Sequence, residues 1–115
     1  MKRRPQYMSL PERLTHRRLE DVVGCKWSSA VLASIARGVK RPGALERYIP
    51  GISKKILNER LKKLQAFGLI TRTEFSGERL PHVEYNLTPA GRKLARILDQ
   101  LQSLQRQLEK AAPPS

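Results

Sequence analysis

Cysteine is almost missing from this chain: Cys25 is the only one in 115 residues. A single thiol excludes an internal disulfide. With only two histidines, His16 and His82, it also leaves no zinc-ligand cluster. Aromatic side chains make up just 5% of the sequence, so Leu, Ile, Val and Ala must fill most of the interior. Apolar runs are short, and none approaches the roughly 20 residues of a membrane span. Acidic residues are scarce, 10 against 23 Lys and Arg, for a formal charge of +13. Phosphate-binding loops, metal clusters and nucleophile–base pairs with a third member are all missing. The expectation is a protein that is not an enzyme and needs no cofactor.

What is present is one domain's worth of sequence with a modest core. Hydrophobic content of 39% is too high for a disordered chain. The positive excess points to a polyanionic partner. It is concentrated: residues 37–63 hold nine basic side chains and two acidic ones. A membrane surface is the poorer partner, because the apolar faces are committed to a globular core. Residues 1–10 read as a mobile basic arm, with Lys2, Arg3 and Arg4 suited to phosphate contact. The opening residues carry charge with no apolar segment behind it, unlike a secretion signal. A cytoplasmic protein is expected.

Residues 52–70, ISKKILNERLKKLQAFGLI, are the most informative stretch. Leu57, Leu61 and Leu64 recur at spacings of four and three, so they share one side of a helix. Ser53 stands where its hydroxyl can accept from an unpaired first-turn amide. Gly68 stands where positive φ can end the run. The other side carries Lys54, Lys55, Asn58, Glu59 and Lys62. Such a helix can lie in the major groove of DNA. For each lysine the plain alternative is a solvated charge, and for Ser53 it is capping alone.

The flanking pattern supports the groove reading. Residues 11–24 read as a helix with Leu14, Leu19, Val22 and Val23 on one face. A second helix covers 26–36, with Trp27, Val31, Leu32 and Ile35 on its buried side. A short helix over 42–48 starts at Pro42, with Leu45, Tyr48 and Ile49 facing inward. Pro50 and Gly51 then turn the chain into the basic helix, which is the layout of a helix-turn-helix. Beyond Gly68 the period shifts to two. Residues 69–75 and 82–87 read as strands around a turn at Ser76-Gly77-Glu78, a β-hairpin. Val83, Tyr85 and Leu87 share one side of the second strand. Arg79 lies at the tip and Arg72 on the approach, and Lys40 and Arg41 precede the short helix; all four are candidate DNA contacts. Thr88 and Pro89 then open a helix running to about residue 110. Its Leu94, Ile97, Leu101, Leu104 and Leu108 form a heptad seam for a partner subunit. Residues 111–115 read as a frayed tail.

Three blocks carry a family resemblance covering about residues 22–104. They are Lys26-Trp27; Gly51-Ile52-Ser53-Lys54-Lys55 with Leu57, Leu61, Leu64, Gly68-Leu69-Ile70 and Arg72; and Pro81-His82-Val83-Glu84-Tyr85-Asn86-Leu87-Thr88-Pro89-Ala90-Gly91. In order and spacing the chain resembles the HxlR-type branch of the MarR-like winged helix-turn-helix regulators. The resemblance implies an α+β, mostly α fold: a winged helix-turn-helix with a hairpin wing and a long C-terminal dimerisation helix (88–110), within one domain over 11–110. It implies a homodimeric repressor that binds a palindromic operator in double-stranded DNA and is nucleoid-associated. The second reading is a winged-helix module for RNA or a protein partner. The family often has Gly at Cys25, Thr at Asn58 and Arg at Lys62, so the operator sequence is not carried over from relatives. Several members have a redox-active Cys nearer the N-terminus, where this chain has none. Cys25 reads as a packed small side chain, with a thiol sensor beside Lys26 as the alternative. The small-molecule effector is left open.

Overall fold

The computed structural model describes residues 25–77 and 79–111. The expected basic arm over 1–10, the helix over 11–24 and residues 112–115 of the tail lie outside the described residues.

The described chain runs α1 (Lys26–Ala36), α2 (Pro42–Tyr48), α3 (Lys54–Ala66), β1 (Ile70–Phe75), β2 (His82–Leu87) and α4 (Pro89–Ala111). Each boundary has a local cause. α2 begins on a proline whose absent N–H has no helical partner at that place. At the start of α3 the Ile56 amide donates to Ser53 Oγ at 3.1 Å, the capping bond expected from sequence. α3 ends as Gly68 takes φ +75°. The Leu69 amide then donates back to the Leu64 carbonyl at 3.0 Å, and the Gly68 amide to that of Gln65 at 3.0 Å. Two otherwise open carbonyls are satisfied, and the chain turns from helix into strand.

Three helices and the root of the hairpin enclose one core. Val31, Leu32 and Ile35 come from α1, Leu45 and Ile49 from α2 and its end, and Leu57, Leu61 and Leu64 from α3. Ile70, Tyr85, Leu94 and Leu98 close it from the other side. Burying each leucine is worth about 1.5–3 kcal/mol over leaving it exposed, so the leucine stripe fixes how α3 sits. Trp27 is only half-buried against this core. Lys26 Nζ lies 4.8 Å from its ring centroid, and its edge approaches Gly51.

The strands pair antiparallel, Ile70 opposite Leu87 through Phe75 opposite His82. In β1 only Ile70 is buried, because the hairpin leaves the core after its first residue. The Tyr85 amide donates to the Lys40 carbonyl at 2.8 Å, which stitches β2 to the chain entering α2.

Three expectations need correcting. Tyr48 does not face inward. It is 45% exposed, and its hydroxyl accepts from the Arg37 guanidinium at 3.1 Å. α2 ends at Tyr48, and the next residue, Ile49, drops into the core. Leu94 does not belong to an outward seam in this chain. It is buried with Gly91 and Leu98 on the side of α4 that meets the core. Ile97, Leu101, Leu104 and Leu108 are exposed. At about 100° per residue, the centre of their stripe is turned by roughly 80° from the inward one. Ala111 also completes the last helix rather than opening the tail.

Candidate nucleic-acid interface

α3 presents the proposed groove face as the pattern requires. Leu57 and Leu61 are 1% exposed and Leu64 is fully buried. Ser53, Lys54, Lys55, Asn58, Glu59 and Lys62 are all exposed. The helix N-terminus is the end nearest the α2–α3 turn, so its first-turn amides and lysines share one end. Ser53 uses its oxygen as a cap. A hydroxyl has a second lone pair and a proton, so capping leaves its donor available.

The flanking cations divide. Arg79 is exposed in the wing loop. Lys40 has its carbonyl committed to Tyr85 and its side chain exposed. Arg72 is not an open charge. It pairs with Glu74 two residues along the same strand, and that carboxylate holds the guanidinium pKa above its ordinary value. Arg41 Nη2 lies 3.3 Å from Nε2 of His82. The structure thus brings Arg41 to the wing, across an interval that no sequence pattern links.

Cys25 is the residue before α1 and is part-exposed. Burial pushes its pKa up. The Ser28 amide and hydroxyl, the Trp27 amide and the charge of Arg60 push it down and prevail, so the net shift is downward. The partner named from sequence, Lys26, is not among these causes. Ser28 and Arg60 were missed because neither adjoins Cys25 in a recognisable motif. Among the described residues no group of three His, Cys, Asp or Glu gathers to hold a metal. No described helix is long and apolar enough to cross a membrane.

A cleft of about 910 Å³ runs between α1 and α4, lined by Ala33, Arg37, Arg92, Arg96, Leu101 and Gln105 among others. It is continuous with the exposed apolar stripe of α4 through Leu101.

A helix-turn-helix whose second helix offers a basic face, followed by a two-stranded wing and a long helix, is a winged helix-turn-helix. The HxlR-like helix-turn-helix family profile matches residues 22–112, and the chain belongs to that family. It is similar to the HTH-type transcriptional regulator YtcD of Bacillus subtilis, 40% identical over 81 residues, which are 70% of this chain and 64% of YtcD. It is also 39% identical to YkvN of the same organism, over 71% of this chain and 69% of that one. The chain thus spans just under two thirds of YtcD. Among solved structures, the crystal structure of YtcD superposes with a TM-score of 0.71 at 35% identity, covering 90% of this chain and 99% of that one. A MarR-family regulator from Enterococcus faecalis gives 0.75 at 28% identity, over 92% and 96%. The redox regulator HypR in its reduced form gives 0.72 at 29%, over 83% and 93%.

Proposed function

We propose that this chain is a transcriptional regulator that binds double-stranded DNA sequence-specifically as a homodimer and represses by occluding a promoter. The observation that carries the proposal is the division of α3. Its leucines are buried, while Lys54, Lys55, Asn58, Glu59 and Lys62 are exposed on one helix of groove-reading size. Asn58 and Lys55 read base edges, Asn by pairing bidentately with adenine and Lys by reaching guanine acceptors. Ser53, Lys54 and Lys62 hold phosphates, and Glu59 orients a neighbouring lysine or accepts from cytosine. Arg79 enters the minor groove or grips its phosphates. Lys40 and Arg41 contact the backbone. Arg72, neutralised by Glu74, is the weakest of the flanking contacts.

The second copy packs along Ile97, Leu101, Leu104 and Leu108. Four exposed large aliphatic side chains in one stripe, beside an open cleft, are unusual on a monomer. A two-fold dimer places two α3 helices about one turn of duplex apart, so the operator is palindromic. The names of the relatives, HTH-type transcriptional regulators, support the coarser reading of a transcriptional regulator.

Fluorescence anisotropy with labelled duplex DNA and single-stranded RNA of the same sequence tests the assignment. Tight, salt-sensitive binding to one duplex sequence, with weak binding to scrambled duplex and to RNA, is the expected result. Preference for RNA, or equal affinity for every duplex, would overturn it.

A further inference from the structure

His82 sits where the wing meets the entry to α2. Its ring stacks on Phe75, its cross-strand partner, with centroids 4.7 Å apart and planes 11° from parallel. Nδ1 lies 2.9 Å from the Leu80 carbonyl oxygen. A carbonyl only accepts, so Nδ1 carries hydrogen whether the ring is charged or neutral. Nε2 faces two groups with opposite demands. Oε2 of Glu84 is 2.8 Å away and accepts. Nη2 of Arg41 is 3.3 Å away and donates. One nitrogen cannot serve both. With a proton, Nε2 donates to Glu84 and repels Arg41. Without one, it accepts from Arg41 and repels Glu84.

We propose that His82 is a positioning residue for Arg41: the proton on Nε2 decides whether Arg41 is held against the wing or released toward a DNA phosphate. The inference rests on the DNA-binding reading above. Among the described residues, the charges that face the imidazole are Arg41, from the entry to α2, and Glu84, from β2. β1 contributes the neutral ring of Phe75. Glu74 borders the same hollow but is paired with Arg72. When His82 is protonated, Glu84 is occupied by the imidazolium and Arg41 is free. When His82 is neutral, Arg41 is drawn to both Nε2 and the unpaired Glu84.

The Leu80 carbonyl and then Glu84 raise the imidazole pKa, against opposing contributions from burial and Arg41. The exchange therefore falls above the ordinary value of about 6.5. The sign follows from linkage. A group whose folded pKa is raised adds stability that is full below the unfolded pKa and is lost as pH rises through the folded one. Phosphates brought near Arg41 favour the protonated ring, so duplex binding takes up protons and tightens as pH falls.

Two measurements on the full chain test the proposal. The first is nitrogen-15 NMR of the His82 ring without DNA. The neutral form is expected to carry its proton on Nδ1, Glu84→Gln to lower the pKa and Arg41→Gln to raise it. A neutral ring protonated on Nε2, or a pKa indifferent to both changes, overturns the exchange of partners. The second is duplex affinity at fixed ionic strength between about pH 5.5 and 8.5, which spans the histidine range. The wild-type protein should gain about three- to tenfold at the acid end. His82→Gln should flatten the profile, and His16→Gln should keep it. Duplex binding with no such dependence, or one that survives His82→Gln, overturns the inference and leaves the DNA reading intact. No duplex binding at any pH overturns both.

Discussion

Gly91 shows how one missing methyl group sets the mouth of the wing. A Cβ built there would stand 1.9 Å from the backbone oxygen of Leu69. Helix propensity alone favours Ala over Gly by about 1 kcal/mol. The clash is with backbone, though, so the start of α4 must move off the turn after α3. Gly91→Ala is therefore expected to destabilise by about 1–3 kcal/mol, as overpacked sites do, seen as a lower urea midpoint. A stabilised variant would show that the two segments are not so closely apposed. Thr88 ties the same two segments with one hydroxyl. It donates to the Gly68 carbonyl at 2.6 Å and accepts from the Gly91 amide at 3.0 Å. Thr88→Val keeps the shape and removes both bonds, and the missing cap together with an orphaned carbonyl should cost about 2 kcal/mol. Equilibrium denaturation checks it, with Thr88→Ser expected to recover most of the stability.

On α3 the exposed side chains divide by what each can read. Asn58 offers a donor and an acceptor side by side, so Asn58→Ala should weaken the preferred duplex by roughly 1–3 kcal/mol at one base position per half-site and scrambled duplex hardly at all. Lys62 is a point charge. Lys62→Ala should weaken all sequences alike and make the salt slope shallower by about 0.9 for each phosphate left without its counter-charge. Competition binding on a set of single-base operator variants separates the two; a uniform weakening with Asn58→Ala would move that residue to the backbone. α3 was readable in advance because its signals are local: a capping serine, leucines at helical spacing, a terminal glycine. The bounds of α1 and α2 and of strand β2 were legible for the same reason. Tyr48 and Leu94 were not. Whether a side chain at the edge of an apolar stripe turns in or out depends on the neighbouring elements: Ile49 takes the inward space beside Tyr48, and the core face of α4 takes in Leu94 together with Leu98. His82 and Glu84, two apart on one strand, are near each other in the sequence itself, but Arg41 joins them only when the wing folds back beside α2, and that was illegible.

At the scale of the whole molecule, the question is why α4 continues so far. Its 23 residues span about 34 Å at 1.5 Å each, and the core needs only the stretch from Gly91 to Leu98. Every residue beyond Leu98 through Ala111 is exposed, yet Leu101, Leu104 and Leu108 keep the apolar spacing there. A surface helix with no covering partner would gain nothing from that spacing, whereas a second copy would bury the stripe. Leu101→Glu combined with Leu104→Glu tests this, because both sites are about half-exposed, at 45% and 48%. The folded monomer should tolerate the change within about 0.5 kcal/mol per site. The charges would, however, face each other across a two-fold seam. Sedimentation at micromolar concentration is expected to give a dimer for the wild-type chain and a monomer for the double variant. Operator affinity should then fall by about a hundredfold or more, since a monomer cannot engage both half-sites at once. A dimer neutralising about eight phosphates gives a log–log salt slope near −7, and the monomer should show about half of it. A double variant that stays dimeric would place the seam elsewhere. One that turns monomeric but keeps full affinity and the steep slope would mean that a single α3 and wing neutralise all the phosphates, and the palindrome would have no physical basis.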